Sequence, residues 1–357
     1  MFMNSLNVFH IEFQDEYVDG VCCLRSIMAR IAVTDGMAKD AVLMLQDAGH
    51  VVDMIDGPIR NGTSDELGES IDGFDAVVIR SATKMTAAAI AAAPSLRLIG
   101  RAGVGVDNID LDAATDAGIL VCNTPGSSTQ SVVELTIGHL LASIRYIPRA
   151  DRDLRSGEWT KGSLKGTELS GKRIGFIGFG RIAQGVGRVA RALGMELHAY
   201  DPYLPVEIAD DQQCELHEDV EDVFRTCTHI AVHCNLTDET HHLVNSHTLS
   251  LMPRVGADGI ECGTHLVSCA RGGIVDEDDV LKALDDGTLS SCALDVFENE
   301  PETTHLILQH QNFHGTPHIG AATHEAQARI GLEMANLLID FFDGLIPKSV
   351  VNTEVLN

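Results

Sequence analysis

The sequence predicts two α/β domains, each a doubly wound parallel sheet with helices on both faces. Three observations carry this. Short apolar runs alternate with helical stretches from Ile31 onward, and a second alternating series starts at Arg173. Between them, residues 131–147 form a helical stretch that is apolar on nearly every side. At 357 residues the chain exceeds one average domain of about 150 residues. With 45% hydrophobic residues it can bury more than one core.

In chain order, the first series places strands at 31–33, 51–55, 76–79, 96–99 and 119–122, with helices at 38–48, 87–93 and 111–117. The second places strands at 174–177, 196–200, 229–233, 266–269 and 292–295. Its helices fall at 182–193, 220–225, 248–252 and 277–285, and a long amphipathic helix over 325–342 follows. A helix without a polar face, such as 131–147, is expected to be buried between domains or subunits.

Composition excludes several function classes. The net charge of −27 repels phosphate backbones and anionic lipid, so neither nucleic acid nor a membrane surface is an expected partner. No uninterrupted apolar stretch reaches the roughly 18 residues of a membrane span. The 9 cysteines are odd in number and contain no C-x-x-C, which fits reduced thiols and a cytoplasmic location. Residues 1–30 carry Glu12, Asp15, Glu16 and Asp19, match no export signal, and read as an extension or a misplaced start.

Gly178-Phe-Gly180-Arg181-Ile182-Ala183 directly follows an apolar strand and opens a helix. In that setting the first glycine makes the tight turn, the second lets backbone approach a pyrophosphate, and the alanine keeps helix and sheet close. The free N–H groups of the helix start then face the phosphates. Asp201 ends the next strand, where a carboxylate holds the ribose hydroxyls of NAD and repels the extra phosphate of NADP. A second glycine pair, Gly103-Val104-Gly105, lacks the third small residue and the downstream acid. It fails as a dinucleotide loop, but its backbone N–H groups, preceded by Arg101, offer a seat for a small carboxylate.

The stretches Leu266-Val-Ser-Cys-Ala-Arg271-Gly-Gly-Ile-Val-Asp276, Ala293-Leu-Asp295-Val-Phe-Glu-Asn-Glu300-Pro301 and Pro317-His318-Ile-Gly320 are distinctive. With the glycine loop, they make the chain resemble the D-isomer-specific 2-hydroxyacid dehydrogenases from about Ile31 to Asn352. Arg80-Ser-Ala-Thr83, the run Gly100–Asp110, Gly166–Gly171 and Tyr200-Asp-Pro202 look like that family's D-3-phosphoglycerate dehydrogenase branch. The resemblance implies two Rossmann-like or flavodoxin-like domains with the active-site cleft between them. Residues 31–129 and 319–357 would bind substrate, and residues 130–318 would bind NAD.

The resemblance also implies roles. Arg271 would bind the substrate carboxylate and polarise the carbonyl, tasks suited to a permanently charged fork. His318 would be the general acid/base and Glu300 the carboxylate that orients it. Asp295 would lie near the nicotinamide. Cys269 and Gly320 would join Gly178, Gly180, Arg181, Ile182 and Asp201 around the cofactor. Arg80, Arg101, Val104 and Gly105 would contact the substrate. Departures from the family pattern include Ser128 and Ser268 where Asn is common, and Asn235 where Pro is common.

The leading expectation is oxidation of 3-phosphoglycerate by a homodimer or dimer of dimers, with residues 131–147 and Trp159 in the interface. The alternatives are a glyoxylate or hydroxypyruvate reductase on the same scaffold, and a dinucleotide-sensing corepressor. Only five residues follow Asn352, so the regulatory ACT domain of many relatives, and serine feedback through it, is not expected. No metal is expected. The clusters His241-His242, Cys262-Gly-Thr-His265 and His310/His314/His318 read as packed or solvated side chains, because Gly315 and Pro317 break any helix that would align the last set.

Overall fold

The computed structural model describes residues 28–55 and 64–356, with the backbone of 17–18 and 21–22. Most of the expected extension at 1–30 therefore lies outside the described residues. Two compact units emerge: residues 1–128 with 324–357, and residues 129–323. The second crossing falls after Thr323 rather than after His318. The reason is local: the Asp295 carboxylate holds the Ile319 and Gly320 N–H groups, each at 2.8 Å.

In unit 1, β1 (Tyr17–Val18) and β2 (Val21–Cys22) form a small antiparallel pair. The domain proper runs β3 (Arg30–Val33), α1 (Lys39–Asp47), β4 (Val51–Met54), α2 (Ser64–Ile71), β5 (Ala76–Ile79), α3 (Ala87–Ala91), β6 (Leu98–Arg101), α4 (Leu111–Asp116) and β7 (Leu120–Asn123). The strands are all parallel in the order β4-β3-β5-β6-β7, the flavodoxin-like arrangement. β5 and β6 are buried at every position, as a sheet covered on both faces requires. Helix α2 is absent from the sequence reading because only Leu67 and Ile71 mark its apolar stripe. It packs on α3 so closely that a Cβ on Gly68 would collide with Ala92.

Unit 2 runs α5 (Thr129–Ile144), α6 (Ile147–Arg155), β8 (Arg173–Ile177), α7 (Arg181–Ala192), β9 (Glu196–Tyr200), α8 (Val206–Asp211), β10 (Cys214–Leu216), α9 (Val220–Thr226), β11 (His229–Val232), α10 (Ser246–Ser250), β12 (His265–Ser268), α11 (Glu277–Asp285), β13 (Ser291–Leu294) and β14 (Phe313–Gly315). Its seven strands are parallel in the order β10-β9-β8-β11-β12-β13-β14. The order reverses between β8 and β11, the switch point where such sheets bind ligands. The last helix, α12 (His324–Phe342), returns to unit 1 and lies on α1, with Gly331 against Ala38 and Ala41.

One expectation needs correction. Residues 131–147 are not one helix: α5 stops at Ile144, Tyr146 adopts a left-handed φ of 52°, and α6 starts anew with a proline in its first turn. α5 packs chiefly on α7, β12 and β13, so much of its broad apolar surface is covered within its own unit. The long connection at 253–265 enters β12 at the N-terminal edge of the sheet. There the buried Lys172 pairs with Asp258, and Asp258 N–H donates to Gly171 O at 3.1 Å, both just before β8.

Candidate active site

The glycine loop sits at the switch point, joining β8 to α7. Gly178 has φ +82°, and a Cβ there would lie 2.8 Å from the Cys234 nitrogen after β11, so two facing loops close on a glycine. Gly180 is different: it caps α7 with ordinary φ, and an added Cβ would meet nothing within 4 Å. Neither packing nor backbone demands glycine there, whereas a pyrophosphate laid across the turn does. The α7 N-terminus has no side-chain cap, so the N–H groups of Arg181 and Ile182 remain for an anion. Asp201 accepts from Phe179 N–H at 2.9 Å and Tyr203 N–H at 3.0 Å. That leaves each carboxylate oxygen a further lone pair for ribose hydroxyls. The chain's own residues thus fit a bound dinucleotide. Cys269 directly follows β12 and has a buried thiol whose pKa burial pushes up to about 12, so it is a packing group rather than a thiolate.

Arg271, Glu300 and His318 follow β12, β13 and β14, three neighbouring strands, and so reach one sheet edge. The loops are pressed together: a Cβ on Gly272 would overlap the Phe297 carbonyl. His318 Nδ1 lies 2.7 Å from Glu300 Oε2, and Glu300 Oε1 accepts from Phe297 N–H at 3.0 Å. Burial works to raise the Glu300 carboxyl, but the His318 and Phe297 hydrogen bonds and the His318 and Arg271 charges outweigh it, holding the group below the ordinary range. Arg271 directs Nη1 to the Ala270 carbonyl at 2.8 Å. His318 itself takes a left-handed φ of 51°, a conformation that costs about 1–2 kcal/mol in an L-residue.

Asp295 pins that conformation. The residue is 1% exposed; its carboxylate accepts from Thr316 Oγ1 at 2.6 Å as well as from Ile319 and Gly320, while its carbonyl accepts from His318 N–H at 2.8 Å. Behind it, the buried His139 lies 3.0 Å from the Thr316 hydroxyl. Burial, with Asp295 opposing, lowers the pKa of His139. Thr316 and His139 are functional supports that the sequence reading missed, since nothing local ties α5 to the His318 loop.

In unit 1, β5 and β6 are neighbours, so Arg80 and Arg101 sit at one C-terminal sheet edge. Arg80 N–H donates to Asp35 Oδ2 at 2.7 Å, and Asp35 also accepts from the Thr83 N–H and hydroxyl. Asn108 Nδ2 holds the Arg80 and Thr83 carbonyls, each at 2.7 Å. Burial lowers the pKa of the Arg80 guanidinium, with Asp35 opposing. The Arg101 guanidinium lies over Gly103, where a Cβ would overlap it, and the Val104 carbonyl accepts from Asn123 Nδ2 at 2.6 Å beside Gly105. Asp35 and Asn108 were also missed. An acid directly after a strand at the ligand edge is the signal that points to the first.

Fold and site define an α/β dinucleotide-binding protein that carries a histidine–carboxylate pair and an arginine at one sheet edge. Residues 137–320 match the family described as "D-isomer specific 2-hydroxyacid dehydrogenase, NAD binding domain", so the chain belongs to the D-isomer-specific 2-hydroxyacid dehydrogenases, and unit 2 is their NAD-binding domain. It is 42% identical over 326 residues to D-3-phosphoglycerate dehydrogenase of Methanocaldococcus jannaschii, covering 91% of this chain and 60% of that protein. It is 40% identical to hydroxypyruvate reductase of Thermotoga maritima, covering 85% of this chain and 95% of that one. The crystal structure of D-lactate dehydrogenase from Aquifex aeolicus with NAD and lactic acid superposes with a TM-score of 0.77 at 26% identity, over 90% of this chain and 99% of that one. The chain spans about 60% of the length of the phosphoglycerate dehydrogenases it matches. Among the described residues, no helix is long and apolar enough to cross a membrane.

Proposed function

We propose that the chain oxidises D-3-phosphoglycerate to 3-phosphohydroxypyruvate, the entry to serine, in a reducing cytoplasm. NAD, held by the Gly178–Ile182 turn and Asp201, supplies the hydride acceptor. His318, with Nδ1 committed to Glu300, presents Nε2 to the substrate hydroxyl and takes its proton. Glu300 balances the imidazolium that results. Arg271 grips the carboxylate and polarises the reacting oxygen. Asp295 and Thr316 hold the His318 loop so that the base is already placed when substrate arrives.

The observation that carries the substrate choice is the pair Arg80 and Arg101 at one sheet edge, cations additional to Arg271 and suited to a phosphate. A second reading, reduction of hydroxypyruvate or glyoxylate, is favoured by the Thermotoga relative, which this chain matches over nearly its whole length. Measuring kcat/KM for 3-phosphoglycerate with NAD against D-glycerate, and the reverse reaction with hydroxypyruvate and glyoxylate, separates the two. A preference for the phosphorylated acid is expected. Equal or better use of the unphosphorylated acids would assign the reductase instead.

A further inference from the structure

We infer that His198, Glu215 and His217 form a divalent-cation site of the two-histidine, one-carboxylate type at the edge of the unit 2 sheet, suited to Zn2+. The sheet assembles it. β10 is an edge strand paired in parallel with β9, and its register sets Glu215 beside His198. Side chains two apart on a strand share a face, so His217 joins Glu215, and its N–H continues the ladder to Ala199 O at 2.8 Å. Three ligands thereby converge from residues that no sequence motif connects.

The spacing matches a tetrahedral ion. His198 Nδ1 lies 3.1 Å from His217 Nε2 and 3.6 Å from Glu215 Oε2, and all three ligand atoms fall within 4.8 Å of one another. Zinc bonds of about 2.0–2.2 Å at tetrahedral angles put neighbouring ligand atoms roughly 3.4 Å apart. Glu215 is 68% exposed, so water can complete the shell from outside. The charged groups acting on His198 are Glu215 and Glu196 on one side and His217 and Arg173 on the other. Arg173 is itself paired with Glu196 at 2.7 Å.

A second cluster, His241, His242 and Glu298, is less suited. Its two rings stack at 3.9 Å, and both His242 nitrogens already face carboxylates, Asp276 at 3.4 Å and Glu298 at 3.2 Å. An ion at His198 would strap a three-residue edge strand to β9, which Asp201 directly follows. Its effect would be on stability rather than chemistry.

The test uses the full chain, stripped with chelator and titrated with Zn2+ by calorimetry and thermal unfolding, and with Co2+ by visible absorption. One Zn2+ per chain, a Tm that rises with Zn2+, and the visible bands of tetrahedral Co2+ are expected. His217→Gln and Glu215→Gln should each weaken Zn2+ binding by at least about tenfold, the least that losing a direct ligand costs. Both should retain dehydrogenase activity in chelator, and His242→Ala should bind Zn2+ as the parent does. Zn2+ binding unchanged in His217→Gln, or lost in His242→Ala, overturns the assignment. If the variants fail to fold, the parent decides: no Co2+ bands, and the site does not exist.

Discussion

Arg80 offers the sharpest single-residue test of substrate identity. A charge-assisted pair to phosphate contributes about 1.5–3 kcal/mol, roughly ten- to a hundredfold in affinity. Arg80→Ala should raise KM for 3-phosphoglycerate by that factor and leave D-glycerate oxidation and NAD binding as they were. The Arg80 backbone bond to Asp35 survives the substitution, so an equal loss on both acids would mean that the side chain supports the fold around it and not the phosphate. For Glu300, the lowered pKa means the carboxylate persists as pH falls through the ordinary range, and its bond to His318 is lost only below it. A carboxyl NMR titration should place its midpoint below about 4.3, the ordinary glutamate value. A midpoint at or above that value would contradict the pair. Thr316→Val leaves Asp295 and His139 each short of a partner, at a cost of about 1–3 kcal/mol. Lower Tm and lower kcat with unchanged KM for NAD are expected, and Thr316→Ser, which keeps the hydroxyl, should restore both.

At the level of elements, the strand–turn–helix at β8–α7 separates fold from ligand. Because an added Cβ at Gly180 meets nothing within 4 Å at an ordinary φ, Gly180→Ala should leave the melting temperature nearly unchanged. It should nonetheless lose most NAD affinity in a fluorescence titration. Retained affinity would show that the pyrophosphate does not cross this turn. The turn was legible in sequence because its whole geometry is local: two glycines, an apolar strand before and an apolar helical stripe after. Elements with weak local signals were not. Helix α2 shows two apolar side chains, β10 and β14 are three residues long, and the break at Tyr146 is a backbone conformation that an apolar run does not announce.

For the whole molecule, apolar surface gathers near α6. Ile147 is 56% exposed, Leu154 57% and Trp159 82%, in a protein whose net charge of −27 otherwise keeps copies apart. A symmetric dimer covering this patch is the expectation, and α5, packed inside its own unit, is no longer needed for it. Light scattering at micromolar concentration should give twice 38.3 kDa, with Trp159 emission shifting to the blue as the dimer forms. A stable, active monomer would dismiss the interface.

The sequence by itself determined two parallel α/β sheets, the glycine turn with its acid, and the arginine, glutamate and histidine in their motif frames. Periodicity, turn chemistry and short motifs are properties of contiguous residues, so they survive without coordinates. Tertiary structure alone decided which distant residues support each candidate residue within its own unit. Asp35 and Asn108 clamp the Arg80 loop from other strand ends, Thr316 and His139 stand behind Asp295, and strand register makes neighbours of His198, Glu215 and His217. Each is a contact between segments far apart in the chain. Such contacts follow from sheet order and register, and neither is written in any single stretch of residues.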